Sequence, residues 1–281
     1  MIKRVLVPLD PSPFTQTAID LACALAGAHD AEITGLVVLD IPGIEKSIGP
    51  VPIGGMHFAE HLEKTKVKEA NQRIRNLLES FAAKCDRAGL AHVEAQRQGE
   101  PSKRIIDESM FYDLVVMGLR TFFHFETQEN PGNSLEEVLD HTVTPICGVP
   151  EKMSLPSLPE EKLRCLLAFD GSLPAARALQ RFAQLAVPSL TEATVLISHD
   201  DKDAASYYLD GAEDYLRRRS FKAVEKRWTP KKIEEVMDEE YLDWAHLIFV
   251  GASSTKGLLE FMMGSLTRHL VETARKPVII C

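Results

Sequence analysis

Continuous apolar runs alternate along this chain with longer amphipathic segments. The runs have the length of strands buried on both faces of a parallel sheet, and the longer segments carry apolar residues at helical spacing. The predicted strands lie at about 2–9, 32–39, 91–97, 113–117, 145–149, 163–169, 192–198, 221–227, 246–250 and 277–281. The predicted helices lie at about 13–28, 58–88, 101–110, 133–142, 173–186, 205–219, 230–241 and 265–275. This alternation predicts the α/β class, with parallel sheets, right-handed crossovers and helices on both faces.

The pattern occurs twice. Each copy opens with an apolar run that ends in Asp and, two residues later, Ser. Each later has an apolar run ending at Gly, and closes with a short strand begun by Pro. The matching pairs are Lys3–Ser12 with Leu163–Ser172, Asp113–Gly118 with His246–Gly251, and Thr144–Val149 with Lys276–Cys281. Three matches in the same order indicate a tandem duplication.

A linker separates the two copies. Pro150–Pro159 holds three prolines together with serines and charged residues, a composition typical of a connecting segment. We place the boundary near residue 155 and predict domains at 1–152 and 160–281. The length of 281 residues, about twice the commonest domain size, agrees with two domains. The copies differ after their second strand, where the first has the Gly- and Pro-rich stretch Ile41–Gly55 and a long helix.

Charge and hydropathy exclude several classes of partner. The net charge is −9, and it lies mostly in residues 1–150, where 14 Lys and Arg face 21 Asp and Glu. An acidic chain without a basic stripe argues against electrostatic binding to nucleic acid or to an anionic membrane. No apolar run approaches the roughly 20 residues that span a bilayer, and the apolar start is too short for a signal peptide. We therefore expect a cytoplasmic protein that binds neither nucleic acid nor membrane.

The five cysteines are scattered and show no C-x-x-C spacing. Most lie among apolar neighbours, which predicts buried, reduced thiols and no metal site. Cys281 is the one cysteine for which we expect reactivity.

Small and polar residues follow the strands of the second copy. Asp170, Gly171 and Ser172 follow its first strand, Gly251 follows its fourth, and Gly264–Ser265 opens its last helix. Ligands of doubly wound sheets bind beyond the carboxyl ends of the strands, and a helix start attracts anions. The pattern therefore predicts an anion or phosphate cradle. The alternative is a tight turn after the strand with a serine that caps the helix.

The loop after the fourth strand resembles the signature of the universal stress protein family, Gly-x2-Gly-x9-Gly-Ser/Thr. Gly251 fills the first position, Ser254 replaces the second glycine, and Gly264 with Ser265 fills the end of the motif. The final strand begins with Pro277, as in that family. The resemblance covers nearly the whole chain as two copies. It implies two tandem flavodoxin-like domains of the adenine nucleotide alpha hydrolase type, each with a five-stranded parallel sheet.

The resemblance also implies a ligand, ATP, with or without Mg²⁺. Asp170 would lie near the base or ribose, and Ile197 with Ser198 would flank the adenine. The phosphates would be surrounded by the loop and the helix start, with Ser265 donating its hydroxyl. The residues assigned to the site are Asp170, Gly171, Ser172, Ile197, Ser198, Gly251, Ser253, Ser254, Gly264, Ser265 and Leu266. The extra Cβ of Ser254 would cost roughly 1 kcal/mol if its backbone has a positive φ.

The first copy departs further from the signature. Thr121 stands at the second glycine, and Gly132 with Asn133 stands where the motif ends. Glu126 and Glu129 bring negative charge toward the position of the phosphates, which they would repel. We therefore expect the first copy to bind ATP weakly or not at all.

Two functions remain open from the sequence. The first is a nucleotide-binding stress-response protein with a regulatory or protective role and slow or no hydrolysis. The alternative is an interaction module that acts through protein partners without nucleotide. No Walker, Rossmann or nucleophile-elbow motif is present, so no catalytic residue is assigned. By resemblance, Pro145–Val149 and Pro277–Cys281 would pair antiparallel and make the chain an internal pseudo-dimer, with dimerisation of whole chains left open.

Overall fold

The computed structural model describes residues 1–121, 134–252 and 263–281. The chain divides into two compact units. The N-terminal unit comprises Lys3–Thr144, and the C-terminal unit comprises Pro145–Cys281 together with Met1–Ile2. The closing strand of the first repeat therefore groups with the second repeat.

The N-terminal unit contains four strands that pair in parallel in the order β3-β2-β1-β4. The strands are β1 (Arg4–Pro8), β2 (Glu32–Leu39), β3 (His92–Gln98) and β4 (Leu114–Gly118). The helices are α1 (Phe14–His29), α2 (Ile41–Ile48), α3 (Met56–Arg87), α4 (Pro101–Ser109) and α5 (Ser134–His141). The central strands β1 and β4 are almost completely buried, as their continuous apolar runs predict.

The C-terminal unit contains six strands in the order β5-β10-β9-β6-β7-β8. The strands are β5 (Ile146–Val149), β6 (Leu163–Ala168), β7 (Thr191–Ser198), β8 (Val224–Thr229), β9 (Leu247–Val250) and β10 (Val278–Ile280). The helices are α6 (Leu173–Leu185), α7 (Lys202–Arg217), α8 (Ile233–Val236) and α9 (Ser265–Thr273), with a 3₁₀ turn at Pro188–Leu190 and a π-helical turn at Met237–Tyr241. The α/β class predicted from the sequence is confirmed.

The strand order of the C-terminal unit places a switch point beside β6. From β6 the chain proceeds outward to β7 and β8 on one side, and later returns to β9 and β10 on the other. These five strands are parallel to one another. Such a reversal opens a crevice beyond the carboxyl ends of the two central strands, here β6 and β9.

The two closing strands pair antiparallel, as the resemblance implies. Val278 lies opposite Gly148, and Ile280 lies opposite Ile146. The remaining pair joins Cys147 to Ile279, and both side chains are buried. The unit's core continues into an aromatic cluster in which the ring of Phe182 lies 5.0 Å from those of Phe221 and Phe249.

Three predicted elements differ from the structure. The stretch Ile41–Gly55, expected to be irregular, contains α2, whose first turn is capped by Asp40. Helix α7 begins at Lys202 rather than near residue 205 because the Asp201 carboxylate accepts hydrogen bonds from the next amides. The helix expected at 230–241 is divided into the short α8 and the π-helical turn.

Candidate functional site

A cleft of about 470 Å³ lies at the switch point of the C-terminal unit. It is bounded by the carboxyl ends of β6, β7 and β9 and by the first turns of α6 and α9. Its lining residues are Ala168, Phe169, Asp170, Ser172, Pro174, Ala175, Ser198, Ile233, Val250, Gly251, Gly264, Ser265, Leu266 and Thr267. Among these described residues, Asp170 alone carries a charge, and the volume is of the size that small ligands occupy.

The turn after β6 forms one wall. Asp170 is exposed, and its Oδ1 accepts a hydrogen bond of 2.9 Å from the Ser172 amide. Ser172 caps α6, because its Oγ accepts a hydrogen bond of 3.3 Å from the Ala175 amide. Between them, Gly171 has φ +76°, and a Cβ there would lie 2.6 Å from the ring of Tyr208. The turn therefore requires glycine at this position both for its backbone and for its packing.

The end of β9 approaches the start of α6 very closely. A Cβ on Gly251 would lie 2.4 Å from the Pro174 carbonyl carbon and 2.7 Å from the Ala175 nitrogen. These are backbone atoms, which cannot move aside as the end of a side chain can. Helix α9 is tied to the same place, since the Thr267 hydroxyl donates to the Gly251 carbonyl oxygen at 3.4 Å. Only glycine allows these three elements to meet here.

The start of α9 faces the cleft without a side-chain cap. Gly264 is the N-cap residue and offers no side-chain acceptor to the first amides of the helix. The first N–H groups of a helix have no partner within it, and the helix dipole places partial positive charge there. Ser265, the first residue of α9, is exposed and adds a hydroxyl beside these amides. This arrangement can bind an anion such as a phosphate group.

Most of the described site residues proposed from the sequence line one cleft. These are Asp170, Ser172, Ser198, Gly251, Gly264, Ser265 and Leu266. Gly171 shapes the turn without lining the cleft. Ile197 is fully buried in β7, and its neighbour Ser198 lines the cleft instead. Ser253 and Ser254 lie outside the described residues, as do Glu126, Glu129, Gly132 and Asn133 in the first repeat.

The turn after β1 in the first repeat is packed differently from its counterpart after β6. Asp10, the counterpart of Asp170, is buried, and its Oδ1 accepts hydrogen bonds from the hydroxyls of Ser12 and Thr15 at 2.7 and 2.5 Å. Phe14 stands where the second repeat has Pro174. It is also buried, and a Cβ on Gly118 would lie 2.5 Å from its Cβ. Phe14 thus packs against the end of β4, as Pro174 packs against the end of β9 in the second repeat.

The N-terminal part of the chain matches a known family. Residues 1–124 match the model of the universal stress protein family. A universal stress protein of Methanocaldococcus jannaschii is 26% identical over 120 residues, which cover 42% of this chain and 65% of that relative. The match thus spans less than two thirds of the relative's length. The first repeat is therefore similar to the universal stress proteins in sequence.

Solved structures agree with this similarity at the level of the fold. A universal stress protein from Archaeoglobus fulgidus aligns over 99% of this chain and 97% of its own, with a TM-score of 0.71 and 18% identity. A functionally unknown protein from Pseudomonas aeruginosa aligns over 99% and 92%, with a TM-score of 0.58 and 14% identity. Both alignments extend over the two repeats, so the similarity of fold covers nearly the full length of the chain.

Several cleft residues escaped the sequence analysis. Phe169 and Val250 belong to the apolar strand ends, and Ile233 comes from α8, whose position along the chain the repeat pattern does not define. Thr267 lies two residues beyond the Gly264–Ser265 pair and is buried against β9. A polar side chain on the buried face of a short helix is unusual. This was the one sequence signal that could have indicated a hydrogen bond from Thr267 to the site.

The expectation for Cys281 is wrong. Burial raises the pKa of its thiol to about 12, which keeps it protonated and unreactive near neutral pH. Burial likewise raises the pKa of Cys147 and Cys165. The five cysteines are free, as predicted.

Neither a membrane-spanning helix nor a metal-binding cluster is found in the part of the chain that the structure describes. In residues 1–121, 134–252 and 263–281, no helix has the length and apolar character needed to cross a membrane. The same ranges hold no group of three or more His, Cys, Asp or Glu side chains placed to bind a metal ion.

Proposed function

We propose that this chain is a universal stress protein that binds ATP, or another adenine nucleotide, in the cleft of its C-terminal unit. The observation that carries the proposal is the meeting of two helix starts at the switch point. The start of α9, whose N-cap residue is Gly264, supplies amides for a phosphate, and the lack of a side chain on Gly251 lets the end of β9 lie against the start of α6. A described lining with one carboxylate suits a ligand that carries phosphates at one end and a ribose at the other.

Each lining group has a role in this proposal. The amides at the start of α9 and the Ser265 hydroxyl donate to phosphate oxygens. The exposed Asp170 carboxylate accepts hydrogen bonds from ribose hydroxyls. Ser198 and Ile233 flank the base, with Ile197 supporting that wall from the core. A Mg²⁺ ion would arrive with the nucleotide and be held mainly by phosphate oxygens and water, because the described lining offers a single carboxylate.

The proposal assigns the two repeats unequal roles. In the N-terminal unit Asp10, the counterpart of Asp170, is buried and hydrogen-bonded, and the larger, buried Phe14 replaces Pro174 at the start of the helix. Binding there would require both to move. The N-terminal unit is therefore proposed to bind nucleotide weakly or not at all and to act as a structural or partner-binding repeat. No residue is assigned a catalytic role, and hydrolysis is expected to be slow or absent.

The test is calorimetry with Mg²⁺-ATP on the intact chain and on matched variants. Gly264→Val places a branched side chain in front of the α9 amides and should weaken binding by more than 100-fold. Ser265→Ala removes one hydroxyl and should weaken it by roughly fivefold, or about 1 kcal/mol. Gly132→Val, at the matching position of the first repeat, should leave the affinity unchanged. Absence of heat and of any thermal shift at tens of micromolar protein would overturn the proposal.

A second candidate function is protein contact without nucleotide. It is favoured by exposed apolar side chains around the connection of α2 to α3, an insertion that the second repeat lacks. These side chains are Val51, Ile53, Met56 and Phe58. Residues 56–69 of α3 include no buried residue, since the buried ones are Ala70, Ile74, Phe81 and Cys85. If ATP produces no heat while Ile53→Glu with Phe58→Glu abolishes co-purification of a cellular protein, this function replaces the first.

A further inference from the structure

Two thiols meet where α1 and α3 pack together in the N-terminal unit. Cys23 lies on α1 and is half-buried, and Cys85 lies near the end of α3 and is fully buried. Their side chains form a hydrogen bond with each other. Sulfur atoms in hydrogen-bond contact need only a small movement to reach the bond length of a disulfide.

An ion pair fixes the register of the two helices at this point. The Lys84 ammonium, next to Cys85 in the chain, forms a salt bridge with the Asp20 carboxylate. Asp20 lies one helical turn before Cys23 on α1, so the salt bridge and the thiol pair are adjacent along the same helix–helix contact. The salt bridge therefore joins α1 and α3 within one turn of the thiol pair, through side chains other than the thiols themselves.

The two thiols differ in reactivity. The hydrogen bond from Cys85, followed by the positive charge of Lys84, lowers the pKa of the Cys23 thiol. The same hydrogen bond, together with burial, raises the pKa of Cys85. The thiolate is the nucleophilic form of cysteine, so Cys23, which is also the more accessible of the two, would react first.

We propose that Cys23 and Cys85 form a peroxide-sensitive thiol pair that closes to an intramolecular disulfide between α1 and α3. The oxidant is a hydroperoxide, with hydrogen peroxide as the simplest example. The inference does not depend on nucleotide binding, because the pair lies in the N-terminal unit and the proposed nucleotide cleft lies in the C-terminal unit.

The reaction balances in two steps. First, the Cys23 thiolate attacks one peroxide oxygen, an S–O bond forms, the O–O bond breaks, and the leaving hydroxide takes up a proton as water. Second, the Cys85 sulfur attacks the sulfenic sulfur of Cys23, an S–S bond forms, and the S–O bond breaks. The departing hydroxide takes the proton of the Cys85 thiol and leaves as a second water. The two thiols lose two electrons in all, and the peroxide gains them.

The disulfide would stabilise the N-terminal unit. It would close a loop of about 60 residues that contains β2, α2 and most of α3. Closing a loop of this length restricts the unfolded chain. The expected result is a rise in the unfolding temperature of the oxidised unit, on the order of 5–10 °C.

The experiment uses the full chain treated with a small excess of hydrogen peroxide. Free thiols are counted after denaturation, and a protease digest run without reductant is analysed by mass spectrometry. The wild-type chain should fall from five free thiols to three, with the peptides of Cys23 and Cys85 linked, and dithiothreitol should reverse both changes. Cys23→Ser should retain all its remaining thiols, and Cys165→Ser, a matched change of a buried thiol, should still form the link.

Cys85→Ser supplies a second readout. Without its partner, the oxidised Cys23 should be trapped as a sulfenic acid that a dimedone probe labels, and the rise in unfolding temperature should disappear. The proposal is overturned if wild-type protein keeps five thiols, if Cys23 pairs with another cysteine or another chain, or if it is oxidised to the sulfinic acid before any disulfide forms.

Discussion

At the scale of single residues, the site depends on positions where no side chain fits. Gly251 lies against the backbone of α6, and Gly171 combines a positive φ with contact to Tyr208. The signature glycines could be predicted from the sequence, because the spacing between Gly251 and Gly264–Ser265 matches the family signature. The reason for Gly171 could not be found, because the ring that excludes a Cβ there comes from α7, 37 residues away in the chain.

Gly171→Ala should destabilise the C-terminal unit by about 1–2 kcal/mol, because the Cβ adds backbone strain and a clash with Tyr208. Gly211→Ala is the matched control. Gly211 lies within α7, a Cβ there meets nothing within 4 Å, and alanine should stabilise the helix by roughly 0.5–1 kcal/mol. Urea unfolding of both variants checks this. Equal changes in the free energy of unfolding for the two variants would contradict the requirement for glycine at position 171.

Gly251→Ala should be more harmful, costing roughly 2–3 kcal/mol, because its Cβ would meet backbone atoms of Pro174 and Ala175. Opening this contact also displaces the floor of the cleft. We therefore expect nucleotide affinity to fall together with stability, measured by calorimetry at a temperature where the variant is folded. Full affinity in a folded Gly251→Ala protein would show that the cleft does not depend on this contact.

At the scale of elements, the central strands were predictable and the connections were less so. Strands β1, β4, β6 and β9 are buried on both faces, so their apolar runs define them within about two residues. Strand β8 has mostly exposed residues, and its predicted position was displaced toward the N-terminus. Helix α2 was missed because Pro42 and Gly43 resemble turn residues, although Pro fits the first turn of a helix and Asp40 caps it.

The contact of α7 with β8 gives a pH-dependent prediction. Hydrogen bonds from Lys226 and Arg217 lower the pKa of the Glu213 carboxyl. A carboxyl whose pKa is lower in the folded state than in the unfolded state stabilises the folded protein at pH values above its unfolded pKa. This stabilisation is lost as the pH falls through the pKa of the folded state. Glu213→Gln should therefore destabilise the protein at pH 7 by at most about 1 kcal/mol. The difference from wild type should shrink between about pH 5 and pH 3 in urea titrations. A difference that stays constant with pH would contradict the assignment.

At the scale of the whole molecule, the chain consists of two copies that have diverged in opposite ways. The first copy has the longer α2–α3 segment and packs Phe14 against the end of β4. The second kept a cleft with Gly251 and Gly264. The repeat was visible in the sequence because its strands and closing prolines recur. The packing of Phe14 could not be predicted from the sequence, because nothing in the local pattern distinguishes Phe14 from an ordinary helix residue.

The pairing of the closing strands predicts the behaviour of a shortened chain. In residues 160–281 strand β5 is missing, so one edge of β10 loses the partner that it has in the C-terminal unit. Exposed strand edges recruit other strands. We expect residues 160–281 to self-associate at tens of micromolar, giving at least twice the monomer mass in analytical ultracentrifugation. A folded monomer at that concentration would contradict the role given to β5.

The two repeats are proposed to differ in nucleotide binding, with one binding an adenine nucleotide and the other not. Isothermal titration of the intact chain with Mg²⁺-ATP tests this difference, because the number of sites is measured together with the affinity. We expect one nucleotide per chain, lost in Gly264→Val and retained in Gly132→Val. A stoichiometry of two, or no binding, would contradict the proposed difference between the repeats.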